Sequence, residues 1–183
     1  MSKNKVAAAV ATFLAMSSTG CVSAPPAEPV PTSPAQGSAR TDLREPGGRV
    51  VARAVVTQGG DSLRVEVEAA GLAPGAYGAH LHAAGRCDPP TFESAGPHWN
   101  PHGREHGRDN PRGQHLGDLP NLLVGADGQG RFEFTLNGAW LASGNGRLLD
   151  ADGASLVIHA RPDDYRTDPS GNSGARLACG VLG

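Results

Sequence analysis

Aromatic residues are scarce in this chain: Phe, Trp and Tyr make up 4% of its 183 residues. Any hydrophobic core must therefore be aliphatic. Lysine is almost missing too, since Lys3 and Lys5 are the only two and every later cation is an arginine. Nor is there a positive surplus, because 16 Lys and Arg face 18 Asp and Glu. Without that surplus or a basic run, the electrostatic footprint of a nucleic-acid binder is absent. No apolar run is long enough to span a membrane. Helical spacing of apolar residues is not sustained anywhere, which excludes a long helical bundle, and no internal repeat suggests a solenoid.

What the chain does have is turn chemistry and a leader. There are 26 Gly and 15 Pro. Lys3 and Lys5 precede a short apolar stretch, Val6 to Met16, and then small residues up to Cys21. This pattern reads as a secretory signal. Ser18-Thr19-Gly20-Cys21 resembles a lipoprotein cleavage box, so residues 1–21 are taken as a leader and Cys21 as a lipidation site. The alternative, cleavage after Val22-Ser23-Ala24, would discard Cys21 with the leader. Residues 22–38 are rich in Pro, Ala, Ser and Thr and read as a solvated tether. The folded body is then 39–183, exported to the periplasm and touching a membrane only through a lipid on Cys21. Without the leader, 14 Arg face 18 acids, a formal charge of minus 4. An anionic substrate would have to be attracted by local charge.

Setting Cys21 aside leaves Cys87 and Cys179, an even pair in an oxidising compartment, which predicts a bridge between them. Two free buried thiols are the alternative. In the body, Val50 to Thr57 and Leu63 to Ala69 alternate like strands, joined by the turn residues Gln58-Gly59-Gly60-Asp61. Ala76 to Ala83, Asn121 to Val124, Gly130 to Leu136 and Ser155 to His159 are further strand candidates. Ala39 to Arg44 is a short, charged candidate for the first strand. Short strands, Gly-rich turns and two long polar insertions imply one all-β sandwich or barrel with its function on loops.

All seven histidines fall between His80 and His159. In His80-Leu81-His82, the period of two in a strand sends both imidazoles to one face and Leu81 to the other. His98, His106, His115 and Asp118 follow in a Gly- and Pro-rich loop. Three nitrogens and one carboxylate make a complete tetrahedral zinc set with no open position, the usual form of a structural site. His102 and His106 are i, i+4 neighbours, but Pro101 and Gly103 argue against a helical turn that would pair them.

Five ordered stretches resemble the bacterial exported copper-zinc superoxide dismutases: Gly78 to His82, Ser94 to Pro101, His115 to Leu122, Leu156 to His159 and Gly171 to Gly180. The resemblance implies a Greek-key β-barrel or flattened sandwich. It implies one copper per chain, held by His80, His82, His98 and His159, and one zinc, held by His98, His106, His115 and Asp118, with His98 bridging the two. It further implies that Asp163 orients His80 and His106, although Asp163 or its neighbour Asp164 also reads as a turn acid after a strand, and that Arg176 guides the anion. The implied reaction is disproportionation of superoxide to dioxygen and hydrogen peroxide, with copper alternately reduced and reoxidised and His98 relaying a proton. Two other classes compete, an exported copper store and a structural sandwich that retains zinc. A store needs the imidazoles but has no use for Arg176, and the structural role has no use for a full copper set. Monomer and homodimer both remain open.

Overall fold

Alternation of apolar and polar residues along the chain translates directly into strands with one dry face. The computed structural model describes residues 37–144 and 146–183, so the leader, Cys21 and most of the tether lie outside it. Strands β1 (Ser38–Arg44), β2 (Val50–Gly59) and β3 (Ser62–Ala70) form an antiparallel meander. The β2–β3 hairpin closes on Gly59↔Ser62. Its two-residue loop therefore starts at Gly60, whose φ of 64° is the left-handed conformation a tight hairpin turn requires. The Gln58 side chain buttresses this turn, donating to the carbonyls of Gly60 and Ser62 and accepting the Leu141 N–H. The stretch expected to be a weak first strand is paired with β2 from Ser38↔Thr57 onward.

The remaining strands are β4 (Gly75–Tyr77), β5 (Ala79–His82), β6 (Leu122–Val124), β7 (Gln129–Asn137), β8 (Ser155–His159) and β9 (Arg176–Val181). Their order across the sheet is β4-β6-β7-β3-β2-β1-β9-β8-β5. The out-of-sequence neighbours β7-β3 and β1-β9 are those of a Greek-key path. Only Gly78 separates β4 from β5, so the two ends of the sheet are consecutive in the chain and the sheet curls into a nearly closed barrel. The Ala76 to Ala83 candidate is thus two strands, which pair with β6 before Gly78 and with β8 after it. A Cβ at Gly78 would lie 2.9 Å from that of Ser173. Strand β9 has no alternation to reveal it, because Ala178, Cys179 and Gly180 are all buried.

The core is aliphatic, as the composition requires. Leu43, Val56, Leu63, Val65, Val67, Leu81, Leu122, Leu156 and Ile158 are all fully buried, each contributing roughly 1.5–3 kcal/mol. Strands β5 and β8 are covered on both faces. Ala79, Leu81, Leu156 and Ile158 face the barrel interior, so His80 and His82 project outward beneath the insertions 83–121 and 160–175. Main-chain bonds fasten the first insertion there, from Leu81 N to Gly117 O (2.9 Å) and from Trp99 N to Leu81 O (2.8 Å).

Cys87 and Cys179 are disulfide-bonded across a separation of 92 residues. The bridge ties insertion 83–121 to β9 and packs with Phe92, Ala95 and Val157. Replacing both cysteines by serine should destabilise the chain by on the order of 4 to 5 kcal/mol in the chain-entropy account. A thermal midpoint unchanged from wild type would contradict this.

Candidate metal centre

Six histidines and two aspartates meet on the outer face of β5 and β8. His80 and His82 come from β5 and His159 from the end of β8. Isolated bridges His82↔His98 and His80↔Asp118 lay the first insertion directly over β5, bringing His98, His106, His115 and Asp118 with it. All eight residues, counting Asp163 from the second insertion, are buried. His102 is exposed and belongs to neither donor group described below.

The hydrogen-bond pattern of the rings decides what they can bind. His80 Nε2 lies 2.7 Å from Asp163 Oδ2 and His106 Nε2 lies 3.0 Å from Asp163 Oδ1. His82 Nδ1 faces Gly96 O at 2.9 Å and His159 Nδ1 faces Gly174 O at 3.2 Å. In the neutral rings of His80, His82 and His159 the acceptor takes the one N–H, which leaves the other nitrogen as a lone pair. Those other atoms, His80 Nδ1, His82 Nε2 and His159 Nε2, are buried with no hydrogen-bond partner, whereas His106 Nδ1 lies 3.0 Å from Asp118 Oδ1. Three such orphans would cost roughly 1–3 kcal/mol apiece in a finished core. Lone pairs converging in this way are the donor set of a transition metal.

Two groups of mutually close donors result, His80, His82, His98 and His159, and His80, His98, His106 and Asp118, with each group's ligand atoms within 4.8 Å of one another. The second contains His80 where the sequence reading has His115. His115 is nevertheless adjacent, its Nδ1 being 3.2 Å from Asp118 Oδ1 and 3.4 Å from His98 Nδ1. The Nδ1 atoms of His98 and His106 are each 3.0 Å from the same Asp118 oxygen. Ligands on a tetrahedral zinc stand about 3.3 Å apart for bonds near 2.0–2.1 Å. His98, His106, His115 and Asp118 therefore fit zinc, and the all-imidazole group fits copper. His98 belongs to both observed groups, as does His80, whose Nε2 is taken up by Asp163.

Burial pushes the pKa of His80 down and that of His82 well down, and it brings His98 to about 4 and His159 to about 3. Neutral rings are the metal-binding form. His106 is the exception: burial lowers it, but Asp118 and Asp163 outweigh burial and raise it to about 9. The two carboxyls are held well below the ordinary range, since the hydrogen bonds from His106, His115 and His98 to Asp118, and from His106 and His80 to Asp163, overcome the effect of burial. The neighbouring Asp164 is exposed and bonds within its turn to Thr167 and Asn172.

An open cleft of about 680 Å³ leads to this cluster, lined among others by His98, His159, Arg104 and Arg176. Arg176 donates to Phe92 O and Gly96 O, both at 2.6 Å, which fixes a half-buried cation at the wall. Gly96 O thus serves both Arg176 and His82. Arg104 was not singled out in the sequence. Its backbone is fastened at both ends by the Asn100 side chain (2.8 and 3.0 Å), a local asparagine turn that the Asn100-to-Arg104 spacing allows but does not announce.

A nearly closed all-β barrel carrying two donor groups that share the buried imidazoles of His80 and His98 defines a class of dinuclear metalloprotein. Comparison with known proteins makes it specific. The family model of copper/zinc superoxide dismutase matches residues 48–182, and the chain belongs to that family. The copper-zinc superoxide dismutase of Caulobacter vibrioides is 39% identical over 148 residues, 79% of this chain and 85% of that protein. One from Aquifex aeolicus is 40% identical over 146 residues, 79% of this chain and 85% of that protein. The crystal structure of a SOD-like protein from Bacillus subtilis superposes with a TM-score of 0.74 at 40% identity, covering 78% of this chain and 97% of that one.

The pKa directions set a pH optimum for the metal-free chain. His98 and His159, lowered from about 6.5, contribute stability that is complete above pH 6.5 and is lost as pH falls toward 4. His106, raised to about 9, contributes stability that is complete below pH 6.5 and is lost as pH rises through 9. Thermal midpoints of chelator-treated protein should therefore peak between pH 6 and 7 and fall on both sides. A midpoint that keeps rising from pH 7 to 9, or stays flat from 6.5 to 4, would contradict the assignment.

Proposed function

We propose that this chain disproportionates superoxide to dioxygen and hydrogen peroxide, using copper held by His80, His82, His98 and His159 and zinc held by His98, His106, His115 and Asp118. The observation that carries the reading is the set of buried ring nitrogens whose opposite nitrogens are committed to fixed acceptors. Bound copper supplies the one-electron chemistry, being the redox-active member of the pair, while zinc is structural. The chain's own residues do the rest. Asp163, Gly96 and Gly174 hold the rings of His80, His106, His82 and His159 in one tautomer and one orientation. His98 lies in both donor groups and, unlike His80, has no ring nitrogen committed to Asp163, and it is placed at the cleft to give and take a proton. Asp118 neutralises part of the charge that two cations bring to a dry site.

Arg176 attracts the anion. A mature chain of formal charge minus 4 repels superoxide overall, so a cation on the cleft wall must reverse the local field. Its guanidinium is held by two carbonyls and therefore keeps its charge at a set place without being neutralised by a carboxylate. Export on the residue 1–21 leader, with a lipid on Cys21, agrees with a disulfide-bonded body and places the enzyme outside the reducing cytoplasm.

The test is superoxide decay on the copper- and zinc-loaded mature chain. Wild type should be active and His159→Ala inactive. Arg176→Ala should retain both metals yet lose about tenfold in kcat/KM, with a flatter dependence on ionic strength, because steering by charge is screened by salt. An inactive wild type that holds both metals would reject the function, and an unchanged Arg176→Ala rate would reject the role of the arginine.

A further inference from the structure

Asp163 touches both donor sets, yet its carboxylate sits in an insertion without regular structure, so something must hold it. Two residues do. The Asn121 side chain grips the Asp163 main chain from both sides, with Nδ2 donating to Asp163 O (2.9 Å) and Asp163 N donating to Asn121 Oδ1 (2.8 Å). Asn121 lies three residues beyond Asp118, immediately before β6, so this pair ties the aspartate-bearing end of the first insertion to the second. Tyr165 completes the clamp. Its N–H donates to Asp163 Oδ1 at 2.6 Å, and its hydroxyl accepts the Asn121 N–H at 2.7 Å. Its carbonyl accepts the Asp109 N–H at 3.0 Å, and the Arg108 guanidinium carbon stands 3.8 Å from its ring centroid.

Tyr165 takes up this place with φ at 62°, a conformation that a bulky side chain adopts only where its surroundings fix it. Four contacts from three directions do so here. Gly107 lies so close to the Tyr165 carbonyl that any side chain at that position would overlap it. The contacts of Tyr165 and Asn121 all end on Asp163 or on the insertion that carries His106.

We propose that Asn121 and Tyr165 are positioning residues that set the metal affinity of the centre by holding the Asp163 carboxylate between His80 Nε2 and His106 Nε2. Without them the carboxylate loses its register, the two rings lose the partner that fixes their tautomer, and the nitrogens aimed at the metals are no longer uniquely lone pairs. The inference rests on the metal-centre reading above and extends it to residues that touch neither metal set.

The experiment is a double-mutant cycle on the full chain, read by zinc affinity in competition with a chromophoric chelator. Asn121→Ala and Asp163→Asn should each weaken zinc binding by about tenfold or more, the scale of outer-sphere partners of metal ligands. In the Asp163→Asn background, Asn121→Ala should add no more than about twofold, since residues acting through one group are not additive. The visible band of the copper(II)-loaded chain should shift alike in both single variants, because His80 is a member of the copper set. If Asn121→Ala does not fold, Tyr165→Phe, which removes only the hydroxyl that receives the Asn121 N–H, takes its place in the same cycle. Zinc affinity within about twofold of wild type, or an equal loss in both backgrounds, overturns the proposal while leaving the metal centre intact. A wild-type chain that binds no zinc overturns the centre and the proposal together.

Discussion

Everything in this molecule depends on how a neutral imidazole divides its two nitrogens. One is spent on an acceptor at the edge of the cluster, Asp163 for His80, Gly96 O for His82 and Gly174 O for His159. The other is then a lone pair with no protein partner. A barrel that buries several such atoms is incomplete by itself, and the metals complete it. The fold supplies the rigidity this requires. β5 and β8 sit in a closed sheet with an aliphatic core on one side, and the insertions are bonded to their backbone on the other. The Cys87–Cys179 bridge fixes the first insertion near Phe92 and Gly96, the two residues whose carbonyls hold Arg176.

Charge is arranged around the same constraint. Burial keeps His80, His82, His98 and His159 neutral, while two carboxylates with depressed pKa values flank the zinc-type set. His106 contacts both of them, which is why it alone is driven toward protonation in the metal-free chain. A divalent ion at that place would substitute for the proton and satisfy the same carboxylates. Outside the cluster the signs reverse, and the cleft wall carries Arg104 and Arg176 on a chain whose formal net charge is minus 2. Charge and geometry thus point to a small anion approaching one donor set while the other is closed by its four ligands.

Much of this was legible in the residues alone. The β2–β3 hairpin was readable because both strands alternate and the turn contains Gly60. His80 and His82 were placed on one face by the period of two, with Leu81 in the core. The loop that brings His98, His106, His115 and Asp118 to the cluster was singled out by its spacing and by the family resemblance. Three things were not legible. The middle of strand β9, Ala178 to Gly180, is buried on both faces and so has no pattern, and the break at Gly78 exists only because the two ends of the sheet meet there. The partners of His82 and His159 are backbone carbonyls, which any residue type supplies. Arg104 was missed for a related reason, since its placement comes from a turn held by Asn100. The leader and Cys21 fall outside the described residues.

The most direct test of the account is anomalous diffraction from crystals of the chain loaded with both metals, recorded at the copper and zinc edges. The account requires two peaks, one on each nitrogen side of the His98 ring, with zinc beside Asp118 and copper beside His159. A single shared position, or a peak that leaves His98 uncoordinated, would contradict it.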